Sequence, residues 1–269
     1  MKQVASLRYG VIFKKAFCDV DVFKGFARDI LGIQLDIDKV ETEKVFDTPI
    51  GSVKTQFDLF AEDKKNRIIV DIQHERHADH YDRFLHYHCV ALLEQIKSSA
   101  DYRSNTRVYT IVVLTSGDKH KKDVLVTDFA PHDLNGNSVH EIAHKIVFLC
   151  PKYVNEQTPA AYREWLEAIE DSLDGEVDEN HYLLAEIHAI FNHIEQNGVS
   201  PDEKARMIEE YHWEEYKQTG FNEGLELGEK TGQLKAAQTI AKGMLAEGLA
   251  VATIAKLTGL TTDEVSGLT

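Results

Sequence analysis

The sequence predicts an α/β protein: a mixed α+β sheet with its helices in the first 150 residues, then an acidic helical C-terminal region. Three observations predict it. Strand-like runs, β-branched or alternating, are confined to residues 1–150. After Pro151 the apolar residues fall at helical spacing instead. The charge divides at the same place. Residues 1–150 hold 21 Lys+Arg against 22 Asp+Glu, a net of -1, and residues 151–269 hold 9 against 23, a net of -14, giving the chain's -15. The acidic part is a poor partner for nucleic acid, whereas the balanced part leaves room for a basic surface that binds DNA.

In chain order, Ile12, Phe13, Ala16, Phe17, Phe23, Phe26, Ala27 and Ile30 lie at helical spacing, with a break near Asp19 and a stop at Gly32. VETEKVFD (40–47) is a short strand, followed by a turn at Pro49-Ile50-Gly51. VKTQFDLFA (53–61) and RIIVDIQH (67–74) are two strands joined by a polar loop of hairpin length. Residues 79–99 form an amphipathic helix carrying Phe84, Leu85, His88, Leu92 and Ile96. RVYTIVVLT (107–115) has the character of a central strand buried on both faces. DVLVTDFA and KIVFLCPKY are further strands, separated by a polar loop around Asn135-Gly136-Asn137. Beyond them two or three acidic helices offer Trp165, Leu166, Ile169, Leu183, Ile187, Phe191 and Ile194 as core.

The C-terminal part has its own regularity, with Gly220, Gly224, Gly228 and Gly232 recurring every four residues. Such a row permits close helix–helix approach and predicts a homo-oligomer, but each glycine costs a helix roughly 1 kcal/mol relative to Ala. A flexible acidic linker and a self-associating helix are both open. The end, AEGLAVATIAKLTGLTTDEVSGL, has a helix-turn-helix cadence, although TTDEVSGL carries two acids and no Lys or Arg for phosphate.

Cys18, Cys89 and Cys150 are far apart and odd in number, which argues against a disulfide framework and predicts a cytoplasmic protein. No secretory signal is visible, and no window approaches the roughly 18 apolar residues of a membrane span.

The hairpin carries the chemistry. With Asp63 to Asn66 as its loop, Glu62 pairs with Arg67, and Asp58 and Asp71 lie opposite each other, side chains about 5 Å apart. Gln56 and Gln73 form the next pair on that face. Phe57, Leu59, Ile68, Val70 and Ile72 point the other way, so the sheet is expected to have one apolar and one polar face. Like charges at that spacing call for neutralisation and suit a hard divalent cation such as Mg²⁺ (or Mn²⁺). Such a cation assists phosphodiester hydrolysis. The alternative is two unrelated acids on a solvated face. His74, His77, His80, His86 and His88 crowd around Cys89, but their spacing matches neither CxxC nor HExxH, so they read as scattered surface or DNA-facing imidazoles.

On these residues the chain resembles the PD-(D/E)XK nucleases. Asp58, then Asp71-Ile72-Gln73, then a helix and the strand 107–115 follow that superfamily's order. Gln in the Lys position is similar to the Rpn-type recombination-promoting nucleases and transposases, as are IFKKAF, RFLHYHCVALLEQIKSSADY and EGLELGEKTGQ. The resemblance covers residues 8 to about 150 and 215 to 269. It implies a restriction-endonuclease-like αβββαβ core and a nuclease-like domain over 1–154. A helical extension over 155–215 and a Gly-periodic, helix-turn-helix-like tail over 216–269 would follow. It implies Asp58 and Asp71 as metal ligands and Gln73 as positioner of water or phosphate, with Lys14, Arg83 and Tyr87 supporting the site or contacting DNA, a role expected of Gln56 on the same face as well. The chain departs from the pattern at Asp71, where relatives usually have Glu, and at Gly10, where they often have Asp. The implied activity is that of a metal-dependent DNA endonuclease linked to recombination or transposition. The other reading is a catalytically silent nuclease-like module that binds DNA or protein and self-associates through its tail.

Overall fold

A computed structural model describes residues 1–46, 55–74, 80–95, 106–139 and 141–268. The Pro49-Ile50-Gly51 turn, His77, Ile96 and the outer ends of the 79–99 helix lie outside the described residues. Two compact units divide the chain, Met1–Glu209 and Glu210–Thr269.

The first unit opens with β1 (Lys2–Gln3), α1 (Gly10–Phe17) and α2 (Val20–Leu31). The break between the helices is built by Asp19, whose Oδ1 accepts from the N–H groups of Asp21 at 2.9 Å and Val22 at 3.1 Å. Gly32 ends α2 in the left-handed region, φ 67°. Then come β2 (Glu41–Phe46), β3 (Thr55–Glu62), β4 (Asn66–Gln73), α3 (His80–Leu93), β5 (Arg107–Leu114), β6 (Val124–Asp128) and β7 (Lys145–Leu149). They form one mixed six-stranded sheet in the order β2-β3-β4-β5-β7-β6. The β2-β3-β4 side is antiparallel, β4-β5 and β5-β7 are parallel, and β6 returns antiparallel at the edge. A helix between β4 and β5 is what a parallel pair requires. The architecture is the restriction-endonuclease-like one, with β5 inside the sheet and buried from Val108 to Leu114.

The unit is completed by α4 (Ala160–Asp171), β8 (Glu176–Val177) and α5 (Ala185–His193). These pack into the same core as α1 and α2. Phe26 meets Phe17 and Trp165 edge-on, each at 5.1 Å, and Trp165 Nε1 donates to Asp29 Oδ2 at 2.8 Å. Leu183, expected in that core, is exposed. Its N–H and that of Leu184 are both captured by Glu164 Oε1, while Tyr182 takes the buried place. β8, pairing with β1, was not expected either.

Both faces of the sheet are covered, contrary to the one polar face expected. Leu59, Ala61, Ile68 and Val70 pack with α1, α2, α4 and α5. Phe60 and Ile69, one residue out of phase, pack on the other face with Phe46, Val90 and Ala91. Leu85 is exposed because α3 buries the row His80, Phe84, His88 and Ala91 instead. His88 and His80 are therefore buried rather than surface imidazoles. His88 Nδ1 lies 2.9 Å from Thr110 Oγ1, and its ring stacks on Phe129 at 5.0 Å. Burial pushes its pKa down to about 4.

The long helix α6 (Pro201–Ala246) spans the division between the units. It runs unbroken through Gly220, Gly224, Gly228 and Gly232, so that stretch is helical. In the second unit, α7 (Val251–Thr258) and α8 (Thr262–Ser266) close on the end of α6 over Ala241, Ile254, Leu260 and Val265. Gly259 at φ 74° makes the turn, and Thr261 and Glu264 form a capping box at α8. Among the described residues no helix is long and apolar enough to cross a membrane.

Candidate active site

The β3–β4 hairpin has the register that its loop predicts. Asp63 Oδ1 accepts from the N–H groups of Lys65 and Asn66, each at 2.7 Å, and the ladder runs from Glu62↔Arg67 to Leu59↔Val70. At the next step the carboxylates replace the backbone ladder. Asp58 N–H donates to Asp71 Oδ1 at 3.2 Å, and Ile72 N–H donates to Asp58 Oδ2 at 3.0 Å. The two strands are thus joined by their acids just where they part, which fixes both carboxylates against rotation.

Asp71 is 5 % exposed, and its Oδ2 is buried without a hydrogen bond, whereas the Asp58 side chain is about a quarter exposed, at 26%. Burial raises the Asp71 pKa well above the carboxylate range, and the neighbouring Asp58 charge adds to it. Asp58 is raised too, chiefly by burial, against the pull of the Ile72 N–H, Lys14 and Arg83. Two raised carboxylates facing one another call for a shared proton or a cation. Their oxygen donors fit Mg²⁺, which accepts one or two carboxylates and keeps several waters. Among the described residues no group of three or more His, Cys, Asp or Glu is placed to hold a metal.

Lys14 comes from α1, with Nζ 3.8 Å from Asp58 Oδ1 and 2.9 Å from Glu43 Oε1. Arg83 comes from α3 on the other side. Its Nε donates to Tyr87 Oη at 3.3 Å, its guanidinium lies over the Tyr87 ring at 5.3 Å, and its charge acts on both acids. Tyr87 in turn meets Phe57 edge-on at 5.7 Å. Gln73 is buried at the end of β4, its carbonyl accepting from Thr115 N–H at 3.1 Å. Gln56 is exposed and registers with Val45 of β2, so it does not share Gln73's environment. Gly10 is the first residue of α1.

Phe57 breaks the alternation of β3. It joins Phe46 and Phe60 on the α3 face rather than Leu59 on the other, so the strand turns over at Asp58. The flanking pairs Thr42↔Leu59 and Lys44↔Phe57 put Glu43 opposite Asp58. Glu43 sits at φ 55°, a left-handed conformation costing a non-glycine residue on the order of 1–3 kcal/mol. Sequence reasoning missed this residue. Its one signal was an acid within the 40–47 strand.

Residues 21–218 match the family model described as PD-(D/E)XK nuclease family transposase, and residues 234–269 match the Rpn/YhgA-like nuclease family, C-terminal HTH domain. No curated protein and no solved structure matches the chain.

Proposed function

The chain belongs to the PD-(D/E)XK nuclease family transposases, and on that premise we propose that it is a divalent-metal-dependent DNA endonuclease. The reading rests on Asp58 and Asp71, interlocked across the hairpin, with Asp71 Oδ2 buried and without a hydrogen bond. These two carboxylates would hold Mg²⁺ or Mn²⁺. A cation there would polarise a phosphoryl oxygen and lower the pKa of a water. Gln73, two residues along the same strand, would position water or phosphate as a neutral donor. Lys14 and Arg83 bring positive charge to the pair from opposite faces of the sheet and favour approach of a phosphate backbone. The helix-turn-helix unit would add a second DNA contact, and the exposed Trp213, Tyr216, Phe221 and Leu227 of α6 suit self-association. The word transposase in the family description supports a link to transposition, and by extension to recombination.

Incubation of supercoiled plasmid with wild type and Asp71→Ala, each in Mg²⁺ and in EDTA, tests it. Nicking by wild type in Mg²⁺ alone supports the reading. Absence of metal-dependent nicking in both proteins leaves a nuclease-like binding module instead.

A further inference from the structure

The cation that Gln73 cannot provide has a candidate on another element. We propose that Lys14 supplies the positive charge that faces the scissile phosphate, and that Glu43 is the positioning residue that holds it there. The inference rests on the nuclease reading of Asp58 and Asp71.

Three observations carry it. Lys14 Nζ lies between Glu43 Oε1 at 2.9 Å and Asp58 Oδ1 at 3.8 Å, and its side chain is only 18% exposed, so the ammonium is held at the carboxylate pair rather than in solvent. Glu43 occupies a left-handed backbone conformation that a long side chain rarely adopts, directly opposite Asp58, and it is there that β3 changes face. Strain of this kind persists only where the surroundings over-determine it, and it concentrates at functional sites. Arg83, the other cation acting on the acids, is engaged with Tyr87 through both Nε and its guanidinium face. Lys14 Nζ stands 3.8 Å from Asp58 Oδ1, beyond hydrogen-bond distance, so the ammonium does not occupy that oxygen. The role is electrostatic, and no bond forms or breaks at Nζ. Glu43 acts only through Lys14. It keeps the ammonium from collapsing onto Asp58 and competing there with the metal.

The test compares wild type, Lys14→Met, Lys14→Arg, Glu43→Gln and the double variant Lys14→Met/Gln73→Lys. Cleavage is followed in Mg²⁺, and Mg²⁺ binding is measured by calorimetry without DNA. Lys14→Met is expected to lose on the order of 100-fold in kcat with little change in KM, the scale of one lost electrostatic contact to the transition state. Lys14→Arg retains most activity, and the lysine introduced at position 73 restores at least about tenfold, roughly 1.4 kcal/mol. In calorimetry Lys14→Met binds Mg²⁺ more tightly and Glu43→Gln more weakly, shifts that a merely structural loss would not send in opposite directions. If Lys14→Met cleaves like wild type, or position 73 gives no rescue while Asp71→Ala still abolishes cutting, the proposal falls and the nuclease reading stands. If wild type never cuts, the nuclease reading falls. The proposed role of Lys14 at a scissile phosphate falls with it, and equal Mg²⁺ affinities in wild type and both variants overturn its placement at the metal site as well.

Discussion

Replacing Asp71 by Asn removes one charge from a buried pair while keeping the shape and the acceptor for the Asp58 N–H. Two carboxylates roughly 5 Å apart repel by about 3 kcal/mol at an effective dielectric near 20. Lys14 and Arg83 return part of this, since both lower the two pKa values. A net gain of about 1–2 kcal/mol is expected for metal-free Asp71→Asn at neutral pH, or about 3–6 °C in Tm for a unit of this size. The sign follows from the direction of the shift. The folded pKa of Asp71 lies above the unfolded value, so between the two the folded chain holds a proton that the unfolded chain has released. Wild-type stability therefore falls as pH rises from about 4 towards the folded pKa, and the advantage of Asp71→Asn opens over that interval. Thermal melts in EDTA at about pH 4.5 and about pH 8, repeated with Mg²⁺, measure it. Mg²⁺ should raise the Tm of wild type and leave the variant unmoved. An Asp71→Asn protein that melts below wild type in EDTA at the higher pH, or by the same margin at both, refutes the coupling of the two acids.

His88 should impose an acid limb on stability. Its folded pKa is near 4 against 6.5 for the free imidazole, so below about pH 6.5 the unfolded chain takes up a proton that the folded chain refuses, a loss approaching 3 kcal/mol by about pH 4. Urea midpoints of wild type and His88→Gln across that range should converge as pH falls. Arg67, 6% exposed, donates to Glu62 Oε2 at 2.7 Å, Glu94 Oε2 at 2.6 Å and the Ala91 carbonyl at 2.8 Å, and lies over the Phe46 and Phe60 rings. Because both glutamates are partly hydrated, Arg67→Ala should cost about 2–3 kcal/mol rather than the full penalty of a buried pair, and Arg67→Met less, as read by urea unfolding. At Gly117, φ 75°, an added Cβ would stand 2.6 Å from the Tyr153 ring, whereas at Gly136, φ 87°, nothing lies within 4 Å. Gly117→Ala should therefore lose about 2 kcal/mol more than Gly136→Ala in the same assay.

What the sequence makes legible here is what short-range chemistry specifies. The loop Asp63–Asn66 sets the hairpin register without any distant partner, and the facing of Asp58 and Asp71 follows from it. The break at Asp19 and the stop at Gly32 are likewise local, a side-chain cap and a left-handed glycine. Burial by distant elements is not local. The face of β4 that reads as polar from Asp71 and Gln73 is covered because α3 returns across it, and His88 is dry because Thr110 and Phe129, distant in sequence, receive it. β1 and β8 are two residues each, too short to show a period, and pair across most of the first unit.

Glu43 shows why part of a site escapes such reading. Its place opposite Asp58 depends on the β2–β3 register, and the sequence joining those strands, with its turn signal at Pro49-Ile50-Gly51, is too long to fix a register as the short loop Asp63–Asn66 fixes the hairpin. Its backbone conformation is stranger still, since nothing about a glutamate predicts φ 55°. The cause lies in competing demands on β3. Leu59 must reach the core under α1, and Phe57 must reach Phe46 and Tyr87 on the opposite face, so the strand has to turn over between them. The residue at the turnover is Asp58, and its neighbour across the ladder takes up the twist. Asp58, a candidate site acid, therefore stands where two packed faces force the strand to change sides. Its geometry is set by those two cores as much as by the carboxylate opposite.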